Sequence, residues 1–269
     1  MRRAELASRL RAAGIEDYAE EAKRLFCHYS GMSRAAALAE PGADCTAPAL
    51  LEALRRREAR EPLAYLLGEA AFWEETYRVS PACLIPRPET ELLVERAIAA
   101  LPQGGHFADL CTGSGCIAIS TLAHRKDATA DGYDISPAAL ALARENAERN
   151  GVSDRLHLAV CDLLTEERLA GPYDMILSNP PYVTETEWEE VAPELHYEPR
   201  AAFLGGSDGL CFYRRILSAF APFLKVGGCF IFEIGWQQGE SLRRLAAEHG
   251  LHCEICRDYG GRDRMAVLR

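Results

Sequence analysis

From residue 106 onward, short apolar runs alternate with stretches of helical periodicity, and this alternation constrains the fold more than any other feature of the chain. The apolar runs fall at 106–110, 128–133, 156–160, 173–178 and 229–234. Helical patterns occupy 117–123, 137–150 and 210–224. A strand that reaches its parallel neighbour through a helix lays that helix on a sheet face. Repeated alternation therefore predicts an α/β fold, with a mostly parallel sheet covered on both faces. Two last runs, 251–257 and 265–268, are joined across Gly260-Gly261, which predicts an antiparallel hairpin added to the sheet edge.

Residues 1–70 carry no strand pattern. Leu6, Leu10 and Ala13 recur at helical spacing, as do Tyr18, Ala22, Leu25 and Phe26. Ser33 can cap a helix starting at Arg34, with Gly42 just past its end. Thr46 and Pro48 mark another start, leading through Leu50, Leu51 and Leu54. A small all-helical N-terminal domain over 1–70 is expected. Residues 71–88 then read as a hairpin-like linker, with Phe72, Trp73, Tyr77 and Val79 in an extended pattern and a turn at Ser80-Pro81. Pro86 and Pro88 hold the backbone around Arg87 extended. The larger domain, 89–269, opens with a helix over 89–100 whose Glu89 and Glu91 suit the positive end of its dipole.

The chain has 269 residues, 48% hydrophobic and 26% charged, which is ample for a sizeable core. Its net charge of -10 disfavours a surface that works mainly through phosphate contacts, so no direct nucleic-acid partner is expected. The run Arg55-Arg56-Arg57 reads as a solvated helix face. No apolar stretch approaches the ~20 residues that span a bilayer. The first residues lack the apolar core of a secretory signal. The expectation is a cytoplasmic monomer that does not engage a membrane. Most of the ten cysteines, Cys116, Cys161 and Cys229 among them, sit in apolar surroundings and read as small buried hydrophobes. Cys253 and Cys256 form the one close pair. In a strand an offset of three puts their sulfurs on opposite faces, and no second pair stands at zinc-ligand spacing, so no metal is expected.

Three constellations carry chemistry. The first is the turn Cys111-Thr112-Gly113-Ser114-Gly115, between an apolar strand and a helix. Ligands in such sheets sit beyond the carboxyl ends of the strands, and glycines let them approach the backbone. Asp134 ends the next strand, at the spacing at which an acid reaches ribose hydroxyls. The turn lacks a full Gly-x-Gly-x-x-Gly pattern and the Lys-Ser or Lys-Thr of a P-loop. A nucleoside without phosphates fits better, and S-adenosylmethionine is the candidate. The second is Asp162-Leu163, where a carboxylate can accept from an adenine amino group while leucine covers the ring; a helix cap at Asp162 is the other reading. The third is Asn179-Pro180-Pro181-Tyr182, at the end of a buried strand next to the glycine-turn strand. The Asn179 carbonyl and the Pro180 backbone carbonyl can accept both hydrogens of a planar NH2 group, and Tyr182 can stack on its face.

Together these residues resemble class I S-adenosylmethionine-dependent methyltransferases with an Asn-Pro-Pro-Tyr acceptor motif, whose sheet is Rossmann-like. That motif implies methylation of a planar nitrogen: adenine, guanine or a glutamine amide. The stretches 61–68, 84–91 and 205–210, with Phe212-Tyr213-Arg214 and Gly261-Arg262-Asp263-Arg264, are similar to those of the peptide chain release factor glutamine methyltransferases. Leu84-Ile85-Pro86-Arg87-Pro88-Glu89-Thr90-Glu91 is the most discriminating of them. The resemblance covers almost the whole chain. It implies methyl transfer to N5 of the glutamine in the Gly-Gly-Gln loop of class 1 release factors. It implies a cofactor site lined by 111–115, Asp134, Asp162, Leu163 and Asn179, and an acceptor glutamine held by 179–182. Arg87 and Glu89 would shape the site mouth, or serve as an ion pair and a helix start. Cys111 stands where many members have glycine, and Leu163 where some have tryptophan. The rival readings are a nucleic-acid amino methyltransferase, a ribosomal-protein glutamine methyltransferase, and a non-catalytic module that keeps the fold.

Overall fold

A computed structural model describes residues 1–269. The chain forms two compact units, one of 1–69 with 192–197 and one of 70–191 with 198–269.

The first unit is helical: α1 (Arg3–Ala12), α2 (Tyr18–Ser30), α3 (Arg34–Ala39), α4 (Pro48–Glu58) and α5 (Leu63–Leu67). Leu6, Leu10, Leu25, Phe26, Leu50 and Leu54 meet in its core. Ser33 caps α3 by accepting the Ala36 N–H at 3.1 Å. The N-cap of α4 is Ala47, not Thr46. Arg57, read from the sequence as part of a solvated face, is only 5% exposed. Its guanidinium lies 2.7 Å from Glu21 and 3.1 Å from Glu194. A buried cation requires such partners. Sequence order could not supply Glu194, because the segment that carries it follows the acceptor loop yet belongs to this unit.

A hairpin of β1 (Glu69–Phe72) and β2 (Glu75–Arg78) comes next in the chain, and all of it but Glu69 belongs to the second unit. Its turn places Trp73 at φ 56°, in the left-handed region. The helix expected over 89–100 begins instead with a 3₁₀ turn, Pro88–Thr90, and becomes α6 at Glu91–Ala100. Then follow β3 (His106–Leu110), α7 (Cys116–His124), β4 (Thr129–Asp134), α8 (Pro137–Arg149), β5 (Leu156–Val160), β6 (Tyr173–Ser178), α9 (Glu185–Trp188), α10 (Cys211–Phe220), β7 (Leu224–Glu233), α11 (Gly239–Glu248), β8 (Cys253–Arg257) and β9 (Asp263–Leu268). The sheet order is β5-β4-β3-β6-β7-β9-β8. The first five strands run parallel, while β9 pairs antiparallel with both β7 and β8.

Both sheet faces are buried, so neighbouring residues on one strand face different cores. Met175, Leu177 and Ile231 join one cluster with α6 and α7. Ile176, Phe230 and Phe232 join the other with α10 and α11. Cys256 packs on the first side and Cys253 on the second, as the strand offset of three predicts. No group of three or more His, Cys, Asp or Glu is placed to hold a metal ion. No helix is long and apolar enough to cross a membrane.

Candidate active site

The strand register gathers the chemically interesting residues at the carboxyl ends of the parallel strands. Tyr133, Leu110, Ser178 and Phe232 form one row across β4, β3, β6 and β7. The next residue on each chain segment is Asp134, Cys111, Asn179 and Glu233. Four side chains distant in sequence thus emerge side by side where the parallel strands end. A cavity of about 660 Å³ opens there, within the range of small-molecule sites.

Its floor is the turn after β3. Cys111, Thr112, Gly113 and Ser114 line the cavity, whereas Gly115 lies behind it. Gly115 is needed for closeness: a Cβ there would stand 2.7 Å from Ile119 and 3.3 Å from Ala143. It also adopts φ 82° at the N-cap of α7. Cys111 takes φ 59°, so this non-glycine residue does adopt the left-handed backbone of the turn. Burial pushes its thiol well above the ordinary range, which makes it a packing group rather than a nucleophile.

Asp134 forms one wall. Its Oδ2 accepts the Gly113 N–H at 2.9 Å and its Oδ1 accepts the Ser136 N–H at 2.9 Å. Burial raises its pKa and the two N–H donors oppose that rise. Each carboxylate oxygen keeps a second lone pair, enough to accept from two adjacent hydroxyls. Asp162 and Leu163 line the cavity beyond it. No helix follows Asp162, so the helix-cap reading fails; its Oδ1 accepts the Leu164 N–H at 3.0 Å and closes a turn. Arg215 of α10 holds that turn by donating from Nε to the Leu163 carbonyl at 2.9 Å.

Behind the turn lies Asp109, fully buried. Its Oδ2 accepts from Thr112 Oγ1 at 2.6 Å, and its Oδ1 has no partner. Burial pushes this carboxyl up to about 7 from 3.8. Between those values the folded chain keeps a proton that the unfolded chain releases, so stability falls as pH rises across the interval. Asp109→Asn mimics the neutral form. It should match the parent near pH 4, exceed it in melting temperature at pH 8, and show a shallower decline between. Parallel melting curves for the two proteins across that range would contradict this.

The acceptor loop completes the site. Asn179 and Pro181 line the cavity, but Pro180 and Tyr182 do not. The stacking role expected of Tyr182 is therefore not what its placement favours. Its ring packs on the core beneath, and its hydroxyl donates to Glu233 Oε1 at 3.1 Å. Glycines allow the loop its tight seat. A Cβ on Gly205 would come within 2.6 Å of the Pro181 carbonyl oxygen, and one on Gly209 within 2.3 Å of the Tyr182 carbonyl oxygen. Arg87 lines the cavity and is ion-paired to the buried Glu198, whose other oxygen accepts the Ile85 N–H at 2.9 Å. Glu89, expected at the mouth, is exposed and forms no part of the wall; its neighbour Thr90 does. Thr90 and Glu233 were not singled out from sequence. Thr90 was embedded in a signature stretch, and Glu233 ends an apolar strand with no local motif around it.

S-adenosylmethionine fits this cavity: a carboxylate with free lone pairs, room at Gly113 where a Cβ would meet nothing nearer than Cys83 at 3.8 Å, and apolar cover from Leu163 and Ile135. Residues 88–201 match the methyltransferase small domain, and residues 3–68 match the PrmC N-terminal domain. A methyltransferase structure from Pyrococcus furiosus has the same fold, with TM-score 0.54 and 16% identity, over 71% of this chain and 86% of that one. Fold and site define a class I S-adenosylmethionine-dependent methyltransferase. The release factor glutamine methyltransferase of Cereibacter sphaeroides is 40% identical over 268 residues, spanning 97% of this chain and 94% of its own length. That of Nitratidesulfovibrio vulgaris is 36% identical over 271 residues, spanning 97% and 91%. The chain belongs to the release factor glutamine methyltransferase family.

Proposed function

We propose that this chain methylates N5 of the glutamine in the Gly-Gly-Gln loop of class 1 peptide chain release factors, using S-adenosylmethionine. The observation that carries this reading is the position of Asn179. It extends from β6 beside the glycine turn of β3, in the wall of the cavity that fits the cofactor. An amide presented there meets the methyl donor and an amide-matching side chain at once.

The cofactor supplies a methyl group on a positively charged sulfur, already activated for transfer. The protein must present a weak nucleophile correctly. An amide nitrogen shares its lone pair with its carbonyl. Asn179 Oδ1, on the cavity wall, accepts one of its hydrogens, which raises electron density on nitrogen and fixes its direction. Most of the acceleration then comes from positioning. No strong base is required beforehand, because the nitrogen grows acidic as it gains the methyl. Asp134 would hold the ribose, Leu163 would cover the adenine, and Asp162 would receive the adenine amino group.

Residues 1–70 serve as the release-factor recognition domain, contacting the factor away from its glutamine. Hydrogen exchange on the full-length protein should show protection within 1–70 when a release factor is added. Protection confined to the second unit would refute that assignment. A cytoplasmic monomer is the acting form under the same proposal. The net charge of -10 speaks against a nucleic-acid substrate. Incubation with labelled cofactor and either release factor, RNA, DNA or ribosomal protein should label only the release factor. Label in a nucleic acid or ribosomal protein instead would overturn the reading.

A further inference from the structure

Four side chains form a chain of hydrogen bonds behind the acceptor loop. Asn179 Nδ2 donates to Thr90 Oγ1 at 3.2 Å. Thr90 Oγ1 donates to Glu233 Oε2 at 2.5 Å. Glu233 Oε1 accepts from the Tyr182 hydroxyl at 3.1 Å. Glu233 is only 2% exposed and Thr90 likewise 2%. They come from the end of β7 and from the 3₁₀ turn before α6, far apart in sequence.

The donor and acceptor inventory gives this arrangement a direction. An ionised glutamate can only accept. The single Thr90 hydroxyl hydrogen is therefore committed to Glu233, and the Thr90 oxygen offers only a lone pair to Asn179. Asn179 must meet that lone pair with its NH2 end. Its carbonyl oxygen is then left facing the cavity, as an acceptor for an incoming NH2 group. With the amide turned over, its own NH2 would point at the substrate NH2, donor against donor. An asparagine side chain can rotate between these two states, so something has to select one.

We propose that Thr90 and Glu233 are positioning residues that lock the Asn179 amide in its acceptor-outward orientation. This rests on the functional reading above and deepens it. Glu233 sets the hydroxyl, Thr90 passes the polarity on, and Asn179 meets the substrate. Tyr182 belongs to the same device from the other side, since its hydroxyl ties the far end of the acceptor tetrapeptide to the same carboxylate. The Pro-Glu-Thr-Glu stretch and the acceptor tetrapeptide are thereby one functional unit, joined through a residue that lies in neither.

The device carries a pH dependence. Besides Thr90 and Tyr182, the groups facing Glu233 are Glu89 beside Thr90, Arg264 of β9, Cys116 of α7 and Tyr213 of α10, whose hydroxyl donates to the Glu233 backbone carbonyl at 2.7 Å. Burial raises the Glu233 pKa, opposed by Thr90, Arg264 and Tyr182. Protonated Glu233 can donate to Thr90, which then turns its own hydrogen toward Asn179 and favours the wrong amide orientation. Turnover should fall as pH is lowered through that raised pKa.

The test compares full-length Thr90→Val, which removes the relay at nearly constant volume, with Thr90→Ser, which keeps the hydroxyl. Thr90→Val should lower kcat for release-factor methylation by on the order of tenfold or more and lose the acid limb of the pH profile, with cofactor affinity unchanged. Thr90→Ser should recover most of kcat and the acid limb. A second readout does not depend on methylation. The chain has three asparagines, Asn146, Asn150 and Asn179, so selective nitrogen labelling gives three side-chain amide pairs. The Asn179 pair should shift in Thr90→Val, return in Thr90→Ser and move on acidification of the parent. Unmoved Asn179 signals, or equal loss of kcat in the serine and valine variants, overturns the relay while parental release-factor methylation leaves the functional reading standing. A parent that shows the amide signature but methylates no release factor overturns the functional reading instead.

Discussion

Asn179→Ala should remain folded, bind cofactor within a few-fold of the parent, and lose methyl transfer by roughly a thousandfold. The asymmetry follows from where its groups point. Asn179 contributes one part of the cavity wall, while the turn after β3, Asp134 and Leu163 contribute separate parts. Removing it leaves those proposed cofactor-binding groups in place. It deletes the acceptor that aims the substrate nitrogen, an interaction strongest when the nitrogen attacks. Calorimetric titration with S-adenosylmethionine and single-turnover transfer measured side by side separate the two effects. Near-parental transfer would show that the amide of Asn179 does not hold the substrate.

Asp134→Ala should do the opposite. It removes the acceptor proposed for the ribose and strips partners from the Gly113 and Ser136 N–H groups, so the glycine turn loses its anchor as well. A charged acceptor lost from a buried site costs about 3 kcal/mol, which is roughly a hundredfold in affinity. Cofactor binding should weaken by about that factor, and raising the cofactor concentration should recover much of the single-turnover rate. A dissociation constant within threefold of the parent would mean the ribose is held elsewhere. Taken together, the two variants divide the cavity into a half that binds and a half that aims.

The sheet was readable in sequence because both of its faces are buried. β3, β5 and β6 coincide with the apolar runs at 106–110, 156–160 and 173–178. β7 was read too short. It begins at Leu224, but Val226 is fully exposed and Gly227 takes φ 83°, so the apolar pattern is broken while the strand continues past an irregular register with β6. α10 was read too long because Pro222 converts its last turn to a 3₁₀ turn, Ala221–Phe223. α11 was missed outright. Its buried Leu242, Leu245 and Ala246 are a narrow stripe in a charged segment.

The site divides similarly. Residues brought to the cavity by a local motif, 111–114, Asn179 and Pro181, were legible from that motif. Asp134 was found from strand-end spacing. Thr90, Glu233 and Glu198 act through side-chain contacts between distant segments, and such contacts leave no local pattern. Tyr182 was misassigned for the same reason: an aromatic in a motif looks like a stacking face until its hydroxyl is seen on Glu233. Glu89 suffered from adjacency, since in a 3₁₀ turn one residue faces solvent and the next the cavity.

The substrate atom in the proposed reaction is a release-factor side-chain amide nitrogen. The most direct measurement incubates the full-length protein with isotopically labelled S-adenosylmethionine and an intact class 1 release factor, then locates the label by tandem mass spectrometry. One labelled methyl should appear on N5 of the glutamine in the Gly-Gly-Gln loop, and none when that glutamine is replaced. Label on another residue of the factor, or undiminished label after the replacement, would contradict it.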